Sequence, residues 1–242
     1  MLVSIIIPVY NEVKTIEQLL DKVINYKFTI NNIEKEIIVV DSNSIDGSTK
    51  ILDHFNSRSK IKLIKEEKAF GKGHAVRNGL KHALGEIILI QDADLEYDVN
   101  DYQKLVMPII NNEKKFVLGT RHSSINPFKM REMVDSPVKA FFLNFGHLCL
   151  QTLFNLLYKQ KLTDIFTMYK VFHKDCIKNL TFKCNRFDFD SELVCKIVLN
   201  GYSPIEIPVN YRSRDFDEGK KVSFFIDPPK ILWSMIKIRI FR

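Results

Sequence analysis

The chain has 242 residues, 45 % of them hydrophobic and 27 % charged, ordinary globular usage and long enough for one domain with a sizeable core. The formal net charge of +7 favours anionic partners: nucleotides, phosphates, anionic headgroups or nucleic acid. The four cysteines, Cys149, Cys176, Cys184 and Cys195, form no C-x-x-C pair and no cluster with zinc-site spacing, which excludes a zinc ribbon and predicts buried free thiols in a reducing compartment.

The apolar start at 1–9 stops at Pro8 with no basic segment before it, so a secretory signal is not expected and the chain reads as cytoplasmic. Residues 2–7 form a short β-branched run, a buried strand. Residues 15–24 carry helical spacing through Ile16, Leu19, Leu20 and Val23. A second buried strand at 36–40 ends at Asp41, a helix follows at 48–55, and a third strand at 61–65. Residues 73–84 are helical after a glycine-rich start. A fourth strand at 86–90 runs into Gln91 and Asp92, then come a helix at 102–111 and a strand at 116–118. Strands alternating with helices at this spacing predict βαβ units around a mostly parallel sheet, and ligands then bind beyond the carboxyl ends of the strands. The second half is less regular. Residues 138–158 are mostly apolar, but Asn144, His147, Gln151 and Asn155 recur at steps of three and four, which reads as an amphipathic helix, packed on the protein or lying at a membrane interface, and not as a span. Extended segments are expected at 167–172 and 203–211, and a helix at 190–199 stopped by Gly201.

Chemistry concentrates after the strands. Asp92 and Asp94 sit one residue apart beyond the fourth strand, so both carboxylates can face one hard cation such as Mg²⁺ or Mn²⁺, with Glu96 or Asp98 adding a ligand or orienting a water. Where a dinucleotide-binding fold needs G-x-G-x-x-G, this chain has P-V-Y-N-E at 8–12, which argues against NAD and FAD. Instead Pro8 fixes a turn, Tyr10 offers a face to a base, and Glu12 supplies a carboxylate. Asp41 can accept from base or ribose donors, while Asp46 and Ser48 suit a helix N-cap. G-K-G-H-A-V-R-N-G at 71–79 is a glycine-rich helix entry whose backbone allows close approach to an anion, with Lys72 or Arg77 in reach of a phosphate.

Taken together, P-V-Y-N-E (8–12), V-V-D-S-N-S-I-D-G-S (39–48), G-K-G-H-A-V-R-N-G (71–79) and Q-D-A-D-L-E-Y-D (91–98) resemble the inverting glycosyltransferase family 2, with its GT-A fold. The resemblance continues through G-T-R (119–121), L-T-D-I-F-T-M-Y-K (162–170), F-D-F-D-S-E-L (187–193), V-N-Y-R-S-R (209–214) and E-G-K-K (218–221). It is greatest to the branch containing dolichol- and polyprenol-phosphate sugar synthases. It implies an α/β GT-A domain over 1–242: a Rossmann-like nucleotide-sugar lobe at 1–123, an α-rich acceptor lobe at 124–215, and a basic amphipathic tail at 216–242. It assigns Pro8, Tyr10, Glu12 and Asp41 to the nucleotide and Asp92 and Asp94 to the metal–diphosphate; Asp94 is then expected to be the principal ligand, with Glu96 the candidate third and Lys72 and Arg77 the candidate phosphate-side cations. Ser42 stands where many members carry a second acidic residue, and Met168 replaces the usual glycine of the acceptor loop. The Q-x-x-R-W signature of processive members is absent, which implies single transfer.

The implied reaction is direct displacement at the anomeric carbon, the cation and nearby positive groups stabilising the departing diphosphate. A saccharide hydroxyl acceptor would need a general base, for which Asp190 or Glu192 is the candidate. A polyprenyl phosphate needs none, and Arg121, Arg131, Asp164, Arg212 and Arg214 are the candidate acceptor residues. The tail at 230–242 mixes Trp233 and aliphatic residues with Lys230, Lys237, Arg239 and Arg242, as expected of a peripheral contact with an anionic membrane or of a helix docked on the core. A sugar-nucleotide pyrophosphorylase would carry a glycine-rich loop where P-V-Y-N-E stands. A non-catalytic lipid- or nucleic-acid-binding protein would leave the four-loop constellation without a role, and no nucleic-acid-binding signature is present.

Overall fold

A computed structural model of the chain describes residues 1–30, 32–58, 60–121, 137–213 and 227–241, with 137–143 described as helical backbone alone. Seven strands form one sheet: β1 (Leu2–Val9), β2 (Glu34–Asp41), β3 (Lys62–Lys65), β4 (Ile87–Ile90), β5 (Phe116–Thr120), β6 (Lys170–His173) and β7 (Ile205–Pro208), in the order β3-β2-β1-β4-β6-β5-β7. Pairs β1/β2, β1/β4, β2/β3 and β5/β7 are parallel. β6 runs antiparallel between β4 and β5. The expected mostly parallel sheet is present, and the reversed strand is a feature that side-chain periodicity does not encode. β1 and β4 bury both faces, with Val3, Ile5, Ile6 and Ile7 and then Ile87, Ile88, Leu89 and Ile90 closed to solvent. Their unbroken apolar runs, without alternation, follow from helices covering both sides of the sheet.

The helices are α1 (Ile16–Asn25), α2 (Ser48–Ser57), α3 (Lys72–His82), α4 (Tyr102–Ile110), α5 (Pro137–Tyr158), α6 (Asp188–Leu199) and α7 (Asp227–Ile240). Each of the first four follows a strand end, so their N-termini and the preceding loops gather at the carboxyl edge of β1, β2 and β4. α3 lies against β1 and β2 at Gly79 and against the start of α6 at Gly73, where neither residue carries a side chain. A Cβ on Gly73 would stand 2.4 Å from Cβ of Phe189, and one on Gly79 2.5 Å from Cγ2 of Ile6. These glycines therefore serve helix packing, and only Gly71, at φ +111° beside the cleft, fits the loop role expected for all three. α5, α6 and α7 pack on one another as the expected α-rich lobe. α6 stops in a Schellman arrangement, Gly201 N–H donating to Val198 and Tyr202 N–H to Ile197.

One expectation is made definite here and one is corrected: the amphipathic helix α5 packs on α6 and α7. The polar stripe of α5 faces inward: Asn144, His147 and Gln151 are buried, whereas Phe145 and Leu156 are 50 % and 76 % exposed. The inward amides serve backbone. Gln151 Nε2 and Asn155 Nδ2 donate to the Leu162 carbonyl at 3.0 and 2.8 Å, and Ile165 N–H donates to Gln151 Oε1 at 2.8 Å. Among the cysteines, Cys176 and Cys195 are buried as expected, but Cys149 is exposed; all four are free. Burial pushes the Cys176 and Cys195 thiols up to about 12, which makes them unreactive. α7 docks through Ser234 and Met235, its backbone at Met235 accepting from Tyr158 Oη at 2.8 Å, while Trp233, Ile240 and Phe241 point outward. Among the described residues no helix is long and apolar enough to cross a membrane.

Candidate active site

The loops after β1, β2 and β4 are stitched to one another. Val13 N–H donates to Asp46 Oδ2 at 2.9 Å and Glu12 N–H to Ser48 Oγ at 2.9 Å. Asn11 N–H donates to Ser44 Oγ and Asn11 Oδ1 accepts from Ile45 N–H. Thr15 Oγ1 donates to the Ala93 carbonyl at 3.0 Å, tying the first loop to the two aspartates. Gln91, fully buried, fixes the end of β4 from below: its Oε1 accepts from Tyr102 Oη at 2.8 Å and Tyr169 Oη at 2.9 Å, and its Nε2 donates to the Asp92 carbonyl. The result is a preorganised cleft of about 510 Å³. Of the residues expected there, Pro8, Tyr10, Glu12, Lys72, Asp92, Asp94 and Glu96 line it, with Ser42, Phe70, Arg186 and Phe187 beside them.

Asp41 and Arg77 are not on the wall. Asp41 is 1 % exposed; its Oδ1 accepts from Ser44 N–H at 3.0 Å and its Oδ2 from Thr49 Oγ1 at 2.6 Å, which sets the shape of the second loop. Arg77 donates from Nη1 to the Phe182 carbonyl at 2.8 Å and from Nη2 to Asn185. It locks α3 to the 182–185 loop and is turned away from the phosphates assigned to it.

From the cleft wall inward runs a chain of alternating charges. Lys72 Nζ lies 3.2 Å from Asp92 Oδ1 and 3.3 Å from Asp190 Oδ2, and Lys170 Nζ lies 3.1 Å from Asp190 Oδ1. Lys170, wholly buried, also donates to the Thr167 carbonyl. Lys72 is further capped by the Met168 sulfur at 3.2 Å and by the Phe187 ring at 5.5 Å. Burial raises the proton affinity of Asp190, but the ammonium groups of Lys170 and Lys72 outweigh it and hold the carboxyl below its ordinary range. Asp92 is shifted the other way, upward, by burial first; Lys72 offsets part of this, while Asp190 and Glu96 add to it.

The other expected catalytic and acceptor residues are engaged elsewhere. Arg121 Nε and Nη2 each donate to Asp164 at 2.7 Å, its backbone N–H adds a third bond at 3.1 Å, and the guanidinium lies over the Tyr211 ring at 5.3 Å. Asp164 is fully buried. Burial would raise its proton affinity, but Arg121 reverses this and holds it far below the carboxylate range. This pair is a fastening between β5 and the 162–168 loop, and Arg121 also lines a pocket with Glu96, Tyr211 and Arg212, whereas Asp164 is closed to solvent. Glu192 accepts from the N–H groups of Lys183 and Cys184 at 3.0 and 2.8 Å and from Lys196 Nζ at 2.6 Å. It holds the 183–184 turn and does not line the cleft. Asp98 caps a 3₁₀ turn through Asn100 N–H. Arg212 is exposed, its backbone bonded to the Glu96 carbonyl. Arg131 and Arg214 lie outside the described residues.

Several site residues carry no motif signal. Glu66 is buried at the end of β3, accepting from Ser42 Oγ at 2.9 Å and paired with His74 Nδ1 at 2.6 Å, and Phe70 packs on His74 at 4.5 Å. Thus Ser42, read as a lost acid, is backed by a carboxylate from another strand. Lys170 and Gln91 stood inside recognised strings, but nothing in their spacing marks them as buried.

The donor set suits a hard divalent cation. Asp92 and Asp94 are both at the cleft, and Asp94 Oδ1 accepts from Glu96 N–H at 3.1 Å. Among the described residues no three His, Cys, Asp or Glu side chains are gathered to hold a metal, so the expected Asp92–Asp94–Glu96 cage is not formed. Two carboxylates with substrate phosphates completing the shell is the manner in which Mg²⁺ is commonly bound.

A cleft over the carboxyl ends of a mostly parallel sheet, an antiparallel strand beyond it and a D-x-D turn at its centre define a GT-A glycosyltransferase. The model of glycosyl transferase family 2 matches residues 4–181, and the chain belongs to that family. It is 29 % identical over 203 residues to a dolichyl-phosphate beta-glucosyltransferase of Trichomonas vaginalis, spanning 79 % of this chain and 60 % of that one. It is 33 % identical over 122 residues to a dolichol-phosphate mannosyltransferase of Pyrococcus furiosus, spanning 50 % of this chain and 34 % of that one. A UDP-N-acetylglucosamine–dolichyl-phosphate N-acetylglucosaminyltransferase of Methanococcus voltae is 29 % identical over 99 % of this chain and 96 % of its own length. The chain therefore spans less than two thirds of the first two relatives. Glucosyl-3-phosphoglycerate synthase of Mycobacterium tuberculosis, solved with Mn²⁺, UDP-glucose and phosphoglyceric acid, shares the fold at a TM-score of 0.68 and 16 % identity, over 98 % of this chain and 79 % of that one.

Proposed function

We propose that the protein transfers one sugar, with inversion, from a nucleotide-diphosphate sugar to a polyprenyl phosphate, in the presence of Mg²⁺ or Mn²⁺, as a peripheral protein on the cytoplasmic face of a membrane. The observation that carries the choice of acceptor is the charge chain at Asp190. Both oxygens of that carboxylate face ammonium groups, and its proton affinity is depressed, which makes it a weak base. Glu192, the alternative base, is saturated by two backbone N–H groups and Lys196. A hydroxyl acceptor needs a base near neutrality, whereas a phosphate monoester is already an oxyanion. The names of the relatives, all dolichyl-phosphate sugar transferases, support the same reading.

Within it, Tyr10 and Pro8 flank the base, and Ser42 with Glu66 supplies polar groups beside it. Asp92 and Asp94 would hold the cation, which when bound neutralises the charge that builds on the departing diphosphate. Lys72, placed between Asp92 and Asp190, supplies one further positive charge on the same side. The cleft is walled by Phe70 and Phe187, which reduces water access during transfer. Outward Phe145 and Leu156 on α5, and Trp233, Ile240 and Phe241 on α7 beside Lys230 and Lys237, support contact with an anionic membrane.

The test is release of nucleoside diphosphate from a panel of UDP- and GDP-sugars, with and without polyprenyl phosphate. Release is expected to require Mg²⁺ or Mn²⁺ and polyprenyl phosphate, and Asp94→Ala is expected to lower it at least about 100-fold. Release driven by a saccharide and not by polyprenyl phosphate would replace the acceptor; no metal-dependent turnover of any nucleotide sugar would end the transferase reading.

A further inference from the structure

We propose that the groove between the 179–188 loop, α6 and α7 is a docking site for the anionic, phosphate-bearing headgroups of a membrane. The inference rests on the peripheral-membrane part of the reading above and adds to it the surface that meets the bilayer. The groove has a volume of about 880 Å³. Cationic side chains stand on all three of its walls: Lys183 and Arg186 on the loop, Lys196 on α6, and Lys230 and Lys237 on α7. Its two carboxylates are already engaged. Asp188 accepts from Arg186 N–H at 3.0 Å, and Glu192 accepts from the Lys183 and Cys184 N–H groups and from Lys196 Nζ. Arg186 is paired with Asp227 at 3.3 Å. Lys183, Lys230 and Lys237 are exposed and form no ion pair among the described residues. Three uncompensated ammonium groups, lining one groove from two sides, set a charge pattern that a row of phosphates matches.

Aromatic rings are set among these cations. Lys230, Trp233, Lys237 and Phe241 recur at steps of three, four and four, so they share one face of α7. The two rings are 62 % and 72 % exposed, and Leu232 and Ile240 beside them are exposed as well. Rings and ammonium groups interleaved on one helix face suit the headgroup level of a bilayer, where carbon meets the acyl boundary and the cation meets phosphate. A soluble phosphate would leave the rings uncovered, and exposed apolar surface of this kind marks a contact. The groove also fixes an orientation. Phe70 and Arg186 line both it and the donor cleft, so a protein docked by these lysines holds the mouth of the cleft beside the headgroup layer.

Trp233 is the only tryptophan in the chain, so its emission reports directly on the groove. The whole chain is titrated, without nucleotide sugar, with vesicles of phosphatidylcholine alone and with vesicles that also contain phosphatidylglycerol. Phosphatidylglycerol vesicles are expected to give a saturable blue shift that weakens as salt is raised, and phosphatidylcholine vesicles to bind at least about tenfold more weakly. Lys230→Gln combined with Lys237→Gln is expected to weaken phosphatidylglycerol binding about 30-fold, and Lys183→Gln, across the groove from α7, about fivefold. Lys27→Gln combined with Lys60→Gln removes two charges from exposed lysines before β2 and β3 that do not line the groove, and is expected to change binding less than about twofold. Equal binding to the two kinds of vesicle would overturn the inference, and so would an equal loss in the Lys27 and Lys60 variant. Wild-type affinity in Lys183→Gln would overturn the groove in favour of a flat contact through α7. A saturable shift with micromolar glycerol phosphate or a single-stranded oligonucleotide, and none with vesicles, would overturn it in favour of a soluble anion. Sugar transfer in detergent with no phosphatidylglycerol binding would remove the groove and keep the transferase; the expected vesicle binding with no transfer to any acceptor would keep the groove and end the transferase reading.

Discussion

Replacing Asp164 by Asn separates a structural role for the Arg121–Asp164 pair from the acceptor role that sequence resemblance suggests. Asp164 is fully buried and accepts three hydrogen bonds from Arg121, two of them at 2.7 Å. The substitution preserves shape and removes the charge, leaving a guanidinium whose side chain is only 7 % exposed without its counter-ion. Breaking a buried pair from one side costs about 3–5 kcal/mol, and in a chain of this size each kcal/mol moves Tm by about 2–4 °C. Asp164→Asn should therefore melt about 6–20 °C below wild type, with a matching fall in the urea midpoint. Arg121→Met combined with Asp164→Leu should recover most of that loss, since removing both charges leaves none stranded. The folded carboxyl is depressed, so its stabilisation is present above the unfolded value near pH ~3.9 and is lost as pH falls below it. Wild type should accordingly lose stability more steeply than Asp164→Asn between about pH 5 and pH 2. An Asn variant that melts within a degree or two of wild type, yet no longer transfers sugar, would refute the structural assignment and return the pair to the acceptor.

Gly73→Ala forces a methyl to within 2.4 Å of Phe189 and 2.9 Å of the Arg186 and Cys184 carbonyls; a loss of about 1–3 kcal/mol is expected in urea unfolding, and an unchanged midpoint would mean that α3 and α6 are less tightly apposed. Glu192→Gln keeps one accepting oxygen and turns the other into an NH₂, so it cannot accept from the Lys183 and Cys184 N–H groups and from Lys196 Nζ as the carboxylate does, and should cost about 1–3 kcal/mol while kcat at saturating substrates stays within about threefold; a fall of 100-fold or more, the size expected for a lost base, would make Glu192 catalytic. Gln151→Leu leaves the Ile165 N–H unpaired in a buried position and is expected to cost about 1–3 kcal/mol, with earlier proteolytic nicking near 162–168; unaltered nicking would show that Asn155, Tyr97 and Glu206 hold the loop without Gln151.

Most of the sheet was legible because its central strands are buried on both faces and so read as plain apolar runs, each followed by a polar loop. Asp92, Asp94, Glu12 and Lys72 were legible for the same reason: they stand at strand ends, where the topology brings them together whatever the side-chain packing. The direction of β6 was not legible, because parallel and antiparallel strands share one residue period. Nor were Lys170, Gln91 and Glu66. Each is a polar residue buried by partners distant in sequence, Asp190, Tyr169 and Ser42 respectively, and local pattern carries no information on such partners. Arginine misled most: Arg77 and Arg121 occupy the strings where a phosphate ligand is expected, yet five donors on a planar fork suit a carbonyl or a buried carboxylate equally well.

The inward polar face of α5 has the same origin as the charge chain. The 162–168 loop must cross the end of the sheet with its backbone out of water, and every buried N–H and C=O on it needs a partner. Gln151 and Asn155 provide these from α5, Tyr97 Oη accepts from Met168 N–H at 3.0 Å, and Glu206 accepts from the Thr163 and Asp164 N–H groups at 2.8 and 2.7 Å. Held on three sides, the loop places the Thr167 carbonyl and Met168 sulfur against Lys170 and Lys72. The cost of burying the two ammonium groups is then met by Asp190 and Asp92. The polar stripe of α5 and the ion-paired Asp190 are thus two ends of one requirement: fixing an irregular loop at the end of the sheet.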